Sequence, residues 1–195
     1  MKLVEGLNEE QLRRLRYVIG NAFVTNELFH ELGDVQQRRP LVLKYMAAYV
    51  DFVYQTKSLY STDDGKGYIG LACSEDKNVP EQLKMLAAIF MRLPFGKLKK
   101  MLGHISQIAD ENKRYAKQPH IDVLMVAVDV KAQGRGYARQ LVDFAKQMAK
   151  EKELPLLIDT DMKAYSDMYQ HFGCELYNTK TAGNGVTRYN LIYRP

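Results

Sequence analysis

Between residues 127 and 147 the chain reads AVDVKAQGRGYARQLVDFAKQ. Gly134 and Gly136 flank Arg135; an apolar run precedes them and a segment with helical spacing follows. A strand, a glycine turn and a helix in that order form a device for holding an anion. Glycine lets the backbone curl until successive N–H groups converge, and the helix N-terminus adds partial positive charge. Arg135 and Arg139 are placed to add full charges, or simply to face solvent. Further residues able to do chemistry lie nearby: His120 and Asp122 at the head of the apolar run, and Tyr169 downstream.

Several ligands suit such a turn. A P-loop needs a lysine and a hydroxyl after its last glycine, and here Tyr137 and Ala138 follow. The dinucleotide fingerprint wants a third small residue where Arg139 stands, and the unit begins too late for a second mononucleotide-binding half. Asp159, closing the next apolar run, is the only hint of a ribose contact. A tight turn with no ligand is the bland alternative.

A third design accounts for more residues. Gln133-Gly134-Arg135-Gly136-Tyr137-Ala138 fits Q/R-x-x-G-x-G/A, and so resembles the pyrophosphate-binding signature of the GNAT superfamily of acetyl-coenzyme A-dependent N-acetyltransferases. The resemblance covers about residues 119 to 177. Upstream, PHIDVLMVAVDVKAQGRGYA is similar to the puromycin N-acetyltransferase-like branch, with His120, Val126, Val128 and Gln133 at corresponding positions. Ile121, Asp122, Val123 and Val130 depart from that line. Downstream, Tyr169 and Gly173 fall on the family's tyrosine and glycine, while Tyr165 and Cys174 replace its asparagine and phenylalanine.

The resemblance implies an α/β (α+β) fold: a mixed, mostly antiparallel twisted sheet, splayed between its central parallel strands and flanked by helices. It implies acetyl-CoA as co-substrate without a metal, with Gln133, Gly134, Arg135, Gly136, Tyr137, Ala138 and Arg139 around the diphosphate. Val126 and Val128 would lie beside the pantetheine, the Val128 N–H stabilising charge on the thioester oxygen. Tyr169 would protonate the departing thiolate, a role suited to a phenol with an ordinary pKa of about 10. The alternative for Tyr169 is a core tyrosine packed beside Phe172.

An ammonium has no lone pair, so amine acetylation also needs a proton acceptor. Strand alternation points Asp122 the same way as Leu124 and Val126, and His120 joins it by period two. Asp122 or His120 is therefore the candidate base, a solvated strand-end pair being the alternative. The acceptor implied is a primary amine on a small molecule. A lysine side chain or protein N-terminus remains open, as does a non-catalytic module binding coenzyme or nucleic acid.

Composition sets the frame. The chain has 195 residues, 46% hydrophobic and 26% charged, with a net charge of +5. That suits one soluble domain able to bury a core. The basic residues come in small groups, which fit solvated helix faces better than a nucleic-acid footprint. Cys73 and Cys174 sit in apolar surroundings and suit a reducing, cytoplasmic compartment. The four histidines lack metal-ligand spacing, and no apolar run reaches membrane-spanning length.

Patterning predicts the elements. Asn8 reads as the N-cap of a helix through residue 23, and NELFHEL as a short helix ending at Gly33. Pro40 reads as the first turn of a helix through residue 55. Two strands flank a turn at residues 64 to 67, and helices fill 80 to 117 with a break at LPFG. HIDVLMVAVDV and LPLLIDT read as buried strands separated by a helix. A helix stopped at Gly173 and a hairpin turning at residues 182 to 185 close the chain.

We therefore expect one domain: residues 1–117 as acceptor-side helices and hairpin, 118–177 as the acetyl-CoA-binding core, and 178–195 as the C-terminal hairpin strand. An exposed C-terminal strand would be able to pair across a homodimer.

Overall fold

The computed structural model describes residues 1–76, 78–109, 115 and 118–195. Helix α1 (Glu9–Ala22) starts at a reciprocal cap: the Asn8 side chain accepts the Gln11 N–H, and the Gln11 side chain accepts the Asn8 N–H. A 3₁₀ helix (Glu27–Leu32) follows and ends at Gly33. Helix α2 (Val35–Gln55) begins ahead of Pro40, not at it, because the Asp34 carboxylate accepts the Gln37 N–H and caps the helix there. Pro40 sits exposed inside the helix, so the Gln36 carbonyl that its missing N–H leaves free is open to water.

Strand β1 (Lys2–Leu3) was not signalled by the sequence. The hairpin β2 (Leu59–Ser61) and β3 (Gly67–Cys73) is where the turn residues place it. Helices α3 (Val79–Arg92) and α4 (Phe95–Ile108) break at Leu93-Pro94; the expected continuation of α4 towards residue 117 falls largely outside the described residues. Then come β4 (Ile121–Val128), α5 (Tyr137–Lys152), β5 (Leu156–Thr160), α6 (Lys163–His171), β6 (Glu175–Thr181) and β7 (Thr187–Tyr193).

The seven strands form one sheet in the order β1-β2-β3-β4-β5-β7-β6. Every pairing is antiparallel except β4 with β5. One apolar core, including Ile19, Phe29, Val42, Val53 and Met101, fills the side covered by α1 to α4. The other, including Ile69, Leu141, Ala145, Leu156 and Leu191, lies under α5 and α6. The chain's last strand is not exposed: β7 folds back between β5 and β6, so β6 is the free edge on that side. A strand pairing across a dimer at this edge would have to be β6.

One irregularity matters for the site. Gly70 pairs with Met125 and Leu71 with Val123, so Leu124 is an extra residue in β4. The bulge inverts the alternation beyond it. Ile121 and Val123 pack in the α5 core, whereas Met125 and Ala127 pack in the α1–α2 core. Asp122 thus shares a face with Leu124 but not with Val126, which corrects the simple period-two expectation. Gly70 makes room for the bulge: a Cβ there would lie 3.0 Å from Val53 Cγ1, 3.2 Å from Leu124 Cβ and 3.3 Å from Met125 Cγ. Gly70→Val is expected to destabilise the fold by about 1–3 kcal/mol through overpacking. Urea denaturation with an unchanged midpoint would contradict this role for Gly70.

Candidate active site

β4 and β5 are in register only at Ile121 with Leu156 and Asp122 with Leu157. Past those pairs the strands part, and a cleft of about 640 Å³ opens between them. Residues 123 to 126 and Val128 form one wall, and residues 158 to 161 the other. The Asp129 N–H turns to β3 and donates to the Lys66 carbonyl at 2.8 Å. By alternation Ala127 does the same, which directs the Val126 and Val128 N–H groups across the parting towards β5.

At one end of the cleft lies the glycine turn. Gly134 and Gly136 have φ of 76° and 83°, the left-handed region that side chains disfavour, and the space where a Cβ would project is open at both. Among the described residues, no protein acceptor meets the amides of residues 133 to 139; Gln140 is the first to donate, to the Gly136 carbonyl at 3.2 Å. Gly136 caps α5 without a side chain, so the helix presents its orphan N–H groups outward. The hairpin tip steadies the turn, since the Tyr137 hydroxyl donates to Asp64 Oδ2 at 2.5 Å. Arg139 stacks over the Phe172 ring at 5.4 Å and lies in the cleft wall.

The other end is different in kind. Phe23, Leu28, Tyr45, Tyr49 and Ile105 line it from α1, the 3₁₀ helix, α2 and α4. The Tyr49 hydroxyl donates to the carbonyl of the bulged Leu124 at 3.0 Å, and its burial pushes that phenol well above the ordinary range. Opposite these aromatics, Arg188 of β7 reaches two carboxylates. Its Nε and Nη2 donate to the two oxygens of Asp161 at 2.6 and 2.9 Å, and its Nη1 donates to Asp159 Oδ2. Burial alone would lower the guanidinium's pKa, but the two carboxylates outweigh it and hold it firmly charged. Enclosure raises the Asp159 carboxyl, against the pull of Arg188 and with the push of Asp161.

Residues 57–174 match the acetyltransferase (GNAT) family. The chain belongs to that family. No curated protein matches it. Among solved structures it is similar to an apo variant of agmatine N-acetyltransferase, at 14% identity with both chains wholly covered and a TM-score of 0.59. It is also similar to mosquito arylalkylamine N-acetyltransferase-like 5b, at 12% identity, with both chains wholly covered and a TM-score of 0.55. A polyamine N-acetyltransferase of Drosophila melanogaster gives 12% identity, coverage of 94% and 96%, and a TM-score of 0.52. At these identities the likeness is one of fold.

In this GNAT-family chain the cleft gathers most of the residues singled out from sequence. Val126, Val128, Gln133, Gly134, Gly136, Tyr137, Ala138, Arg139 and Tyr169 all line it. Arg135, within the turn, is exposed and outside the wall. His120 and Asp122 sit at the closed end of the parting, also outside the wall. Their side chains meet at 3.2 Å, His120 Nε2 to Asp122 Oδ2, while the Gln118 carbonyl accepts from His120 Nδ1 at 2.6 Å. Partial burial raises the Asp122 carboxyl, and the His120 contact opposes it.

Among the described residues, neither the β2–β3 hairpin nor α3 contributes to the cleft wall. Asp161 and Arg188 were missed. Asp159 and Asp161 do alternate in LLIDTD, but only the insertion of β7 beside β5 brings Arg188 to them.

Among the described residues no group of histidine, cysteine, aspartate and glutamate is placed to hold a metal, and no helix is long and apolar enough to cross a membrane. With Arg188 12% and Asp161 4% exposed, Asp161→Ala would strand a buried guanidinium. A loss of about 3–5 kcal/mol is expected, measured by chemical denaturation; unchanged stability would show that the pair is not held as described.

Proposed function

We propose that this chain is an acetyl-CoA-dependent N-acetyltransferase that moves the acetyl group to a primary amine on a small molecule, by direct attack on the thioester. The observation that carries the reading is a single cleft running from unpartnered amides at the head of α5, through the parting of β4 and β5, to a chamber walled by aromatics and carboxylates. The turn fits the coenzyme: it is uncapped, its glycines leave open space, and Arg139 stands beside it. Support for a small amine comes from the fold shared with the agmatine, arylalkylamine and polyamine N-acetyltransferases. The sequence line through residues 119 to 138 supports a place near the puromycin N-acetyltransferase-like branch.

In this reading the amides and glycines of residues 133 to 138, with Arg139, hold the diphosphate, and Arg135 adds long-range charge from solvent. The coenzyme supplies an acetyl group activated as a thioester. Val126 and Val128 offer N–H groups to the extended pantetheine and the acetyl oxygen. Tyr169 gives a proton to the departing thiolate; it lines the cleft, and burial keeps its hydroxyl protonated far above neutral pH. The acceptor must arrive as, or become, a neutral amine. Two carboxyl groups are within reach of the parting. Asp122, coupled to His120, would act through water from the closed end, and Asp159 stands in the wall itself.

Incubating the protein with acetyl-CoA and a broad panel of primary amines should release free coenzyme thiol; a coenzyme-binding module would release none. Tyr169→Phe is expected to lower kcat about 10²-fold with acetyl-CoA affinity nearly unchanged, and unaltered turnover would remove Tyr169 from the chemistry. Gly136→Val should instead abolish coenzyme binding in calorimetry while the fold persists.

A further inference from the structure

We propose that Asp159 anchors the acceptor's ammonium and takes its proton, and that the chamber beyond it selects primary amines carrying no acid group. The proposal rests on the acetyl-transfer reading above. Asp159 lies in β5 beyond the last pair shared with β4, so it lines the cleft where the strands have parted. Its side chain keeps 28% of its surface exposed, whereas Asp161 behind it keeps 4%. Both oxygens of Asp161 are taken by Arg188. Asp159 receives Arg188 on Oδ2 and a hydrogen bond from its own backbone N–H, and among the described residues no other side chain donates to it. One carboxylate fixes the guanidinium, and the other keeps acceptor capacity for a ligand.

The titratable groups coupled to Asp159 are Arg188 of β7, Asp161 after β5, Asp122 of β4, Tyr49 of α2 and Tyr169 of α6; Tyr45 of α2 and the buried His104 of α4, held neutral by its burial, are coupled to the same Arg188. Two carboxyl groups, Asp159 and Asp161, therefore face one permanent cation, and Asp122 adds a weaker negative field from β4. An arriving ammonium balances the excess; a ligand carboxylate adds to it. Arg188 is a poor host for a further carboxylate, because three of its five N–H donors and its single charge are already engaged by the two aspartates. The same sheet face holds a further unmet polar group: Asn190 stands opposite Asp159 in β7, is 2% exposed, and its amide nitrogen has no partner among the described residues. Phe23, Tyr45, Tyr49 and Leu28 leave the rest of the chamber apolar and aromatic, suited to an uncharged amine body.

R–NH3⁺ passes one proton to the Asp159 carboxylate. The freed lone pair forms the C–N bond as the C–S bond breaks, the nitrogen loses its second proton to water, and the thiolate takes the Tyr169 proton, which solvent restores. The sum is amide, thiol and one proton. Enclosure raises the Asp159 carboxyl, so it is neutral and unable to accept a proton in acid. The rate must fall as pH drops through that pKa, and rise to a plateau above it.

The test compares phenethylamine with phenylalanine, which share a ring and an amine and differ by one carboxylate, in the wild-type protein and in Asp159→Asn, Asp159→Glu and Asp122→Asn. Wild type should favour phenethylamine at least 10²-fold in kcat/KM. Asp159→Asn should lower kcat/KM by about 10²- to 10⁴-fold and erase the acid limb of the pH profile, with calorimetric acetyl-CoA affinity within a factor of about two. Asp159→Glu should retain the limb at reduced rate, and Asp122→Asn should leave it in place. Full activity with an intact acid limb in Asp159→Asn would overturn the proposal, as would loss of the limb in Asp122→Asn alone or equal use of phenylalanine. Thiol release by wild type would then still uphold the acetyl-transfer reading. If no amine of the broad panel releases thiol, that reading fails and takes this proposal with it.

Discussion

Everything in this molecule depends on β4 keeping its full ladder with β3 while letting go of β5 after Asp122. Leaving backbone N–H and C=O groups unpaired inside a protein is costly, and sheets ordinarily close such gaps. Here the bulge at Leu124 makes the parting tolerable. It rotates the strand so that Met125 and Ala127 anchor it in one core while Val126 and Val128 face the other. Tyr49 satisfies the carbonyl that the bulge displaces. Gly70 on the facing strand removes the side chain that would otherwise collide with it. The amides that remain unpaired then open on a cleft instead of on apolar side chains.

The two ends of that cleft carry opposite electrostatics, each from a different source. At the α5 end the field is mostly backbone: bare N–H groups and a helix terminus with no capping side chain. At the far end it comes from side chains, with aspartates held in place by a guanidinium. The cleft thus presents a positive field at one end and a negative one at the other, on opposite sides of the parted strands. A preorganised field of this sort needs no reorientation at the moment of reaction.

Much of this was legible in the sequence, and the reasons differ by region. Gly134 and Gly136 could be read because their conformational demand is local, and the apolar run before them because a strand buried on both faces leaves no other pattern. The start of α2 was misplaced because an exposed Pro40 is tolerated once Asp34 has capped the helix upstream. The facing of Asp122 was misjudged because a one-residue bulge leaves no mark in an unbroken run of apolar letters. Arg188 was illegible for a deeper reason. Its partnership with Asp159 and Asp161 spans 29 and 27 residues and exists only through the order in which strands sit side by side.

That order also constrains how the molecule can assemble. As the chain leaves the ribosome, β6 emerges before β7, yet its place in the sheet is on β7's outer flank. Until β7 arrives, β5 offers an open flank and β6 has no neighbour to rest on, so the nascent chain holds two unsatisfied strand surfaces at once. If β6 took the vacant position first, Arg188 would be stranded away from the aspartates it neutralises, leaving their charges unpaired in an enclosed setting. The ionic cluster is thus bound up with strand order: Arg188 meets both aspartates because β7, not β6, lies beside β5.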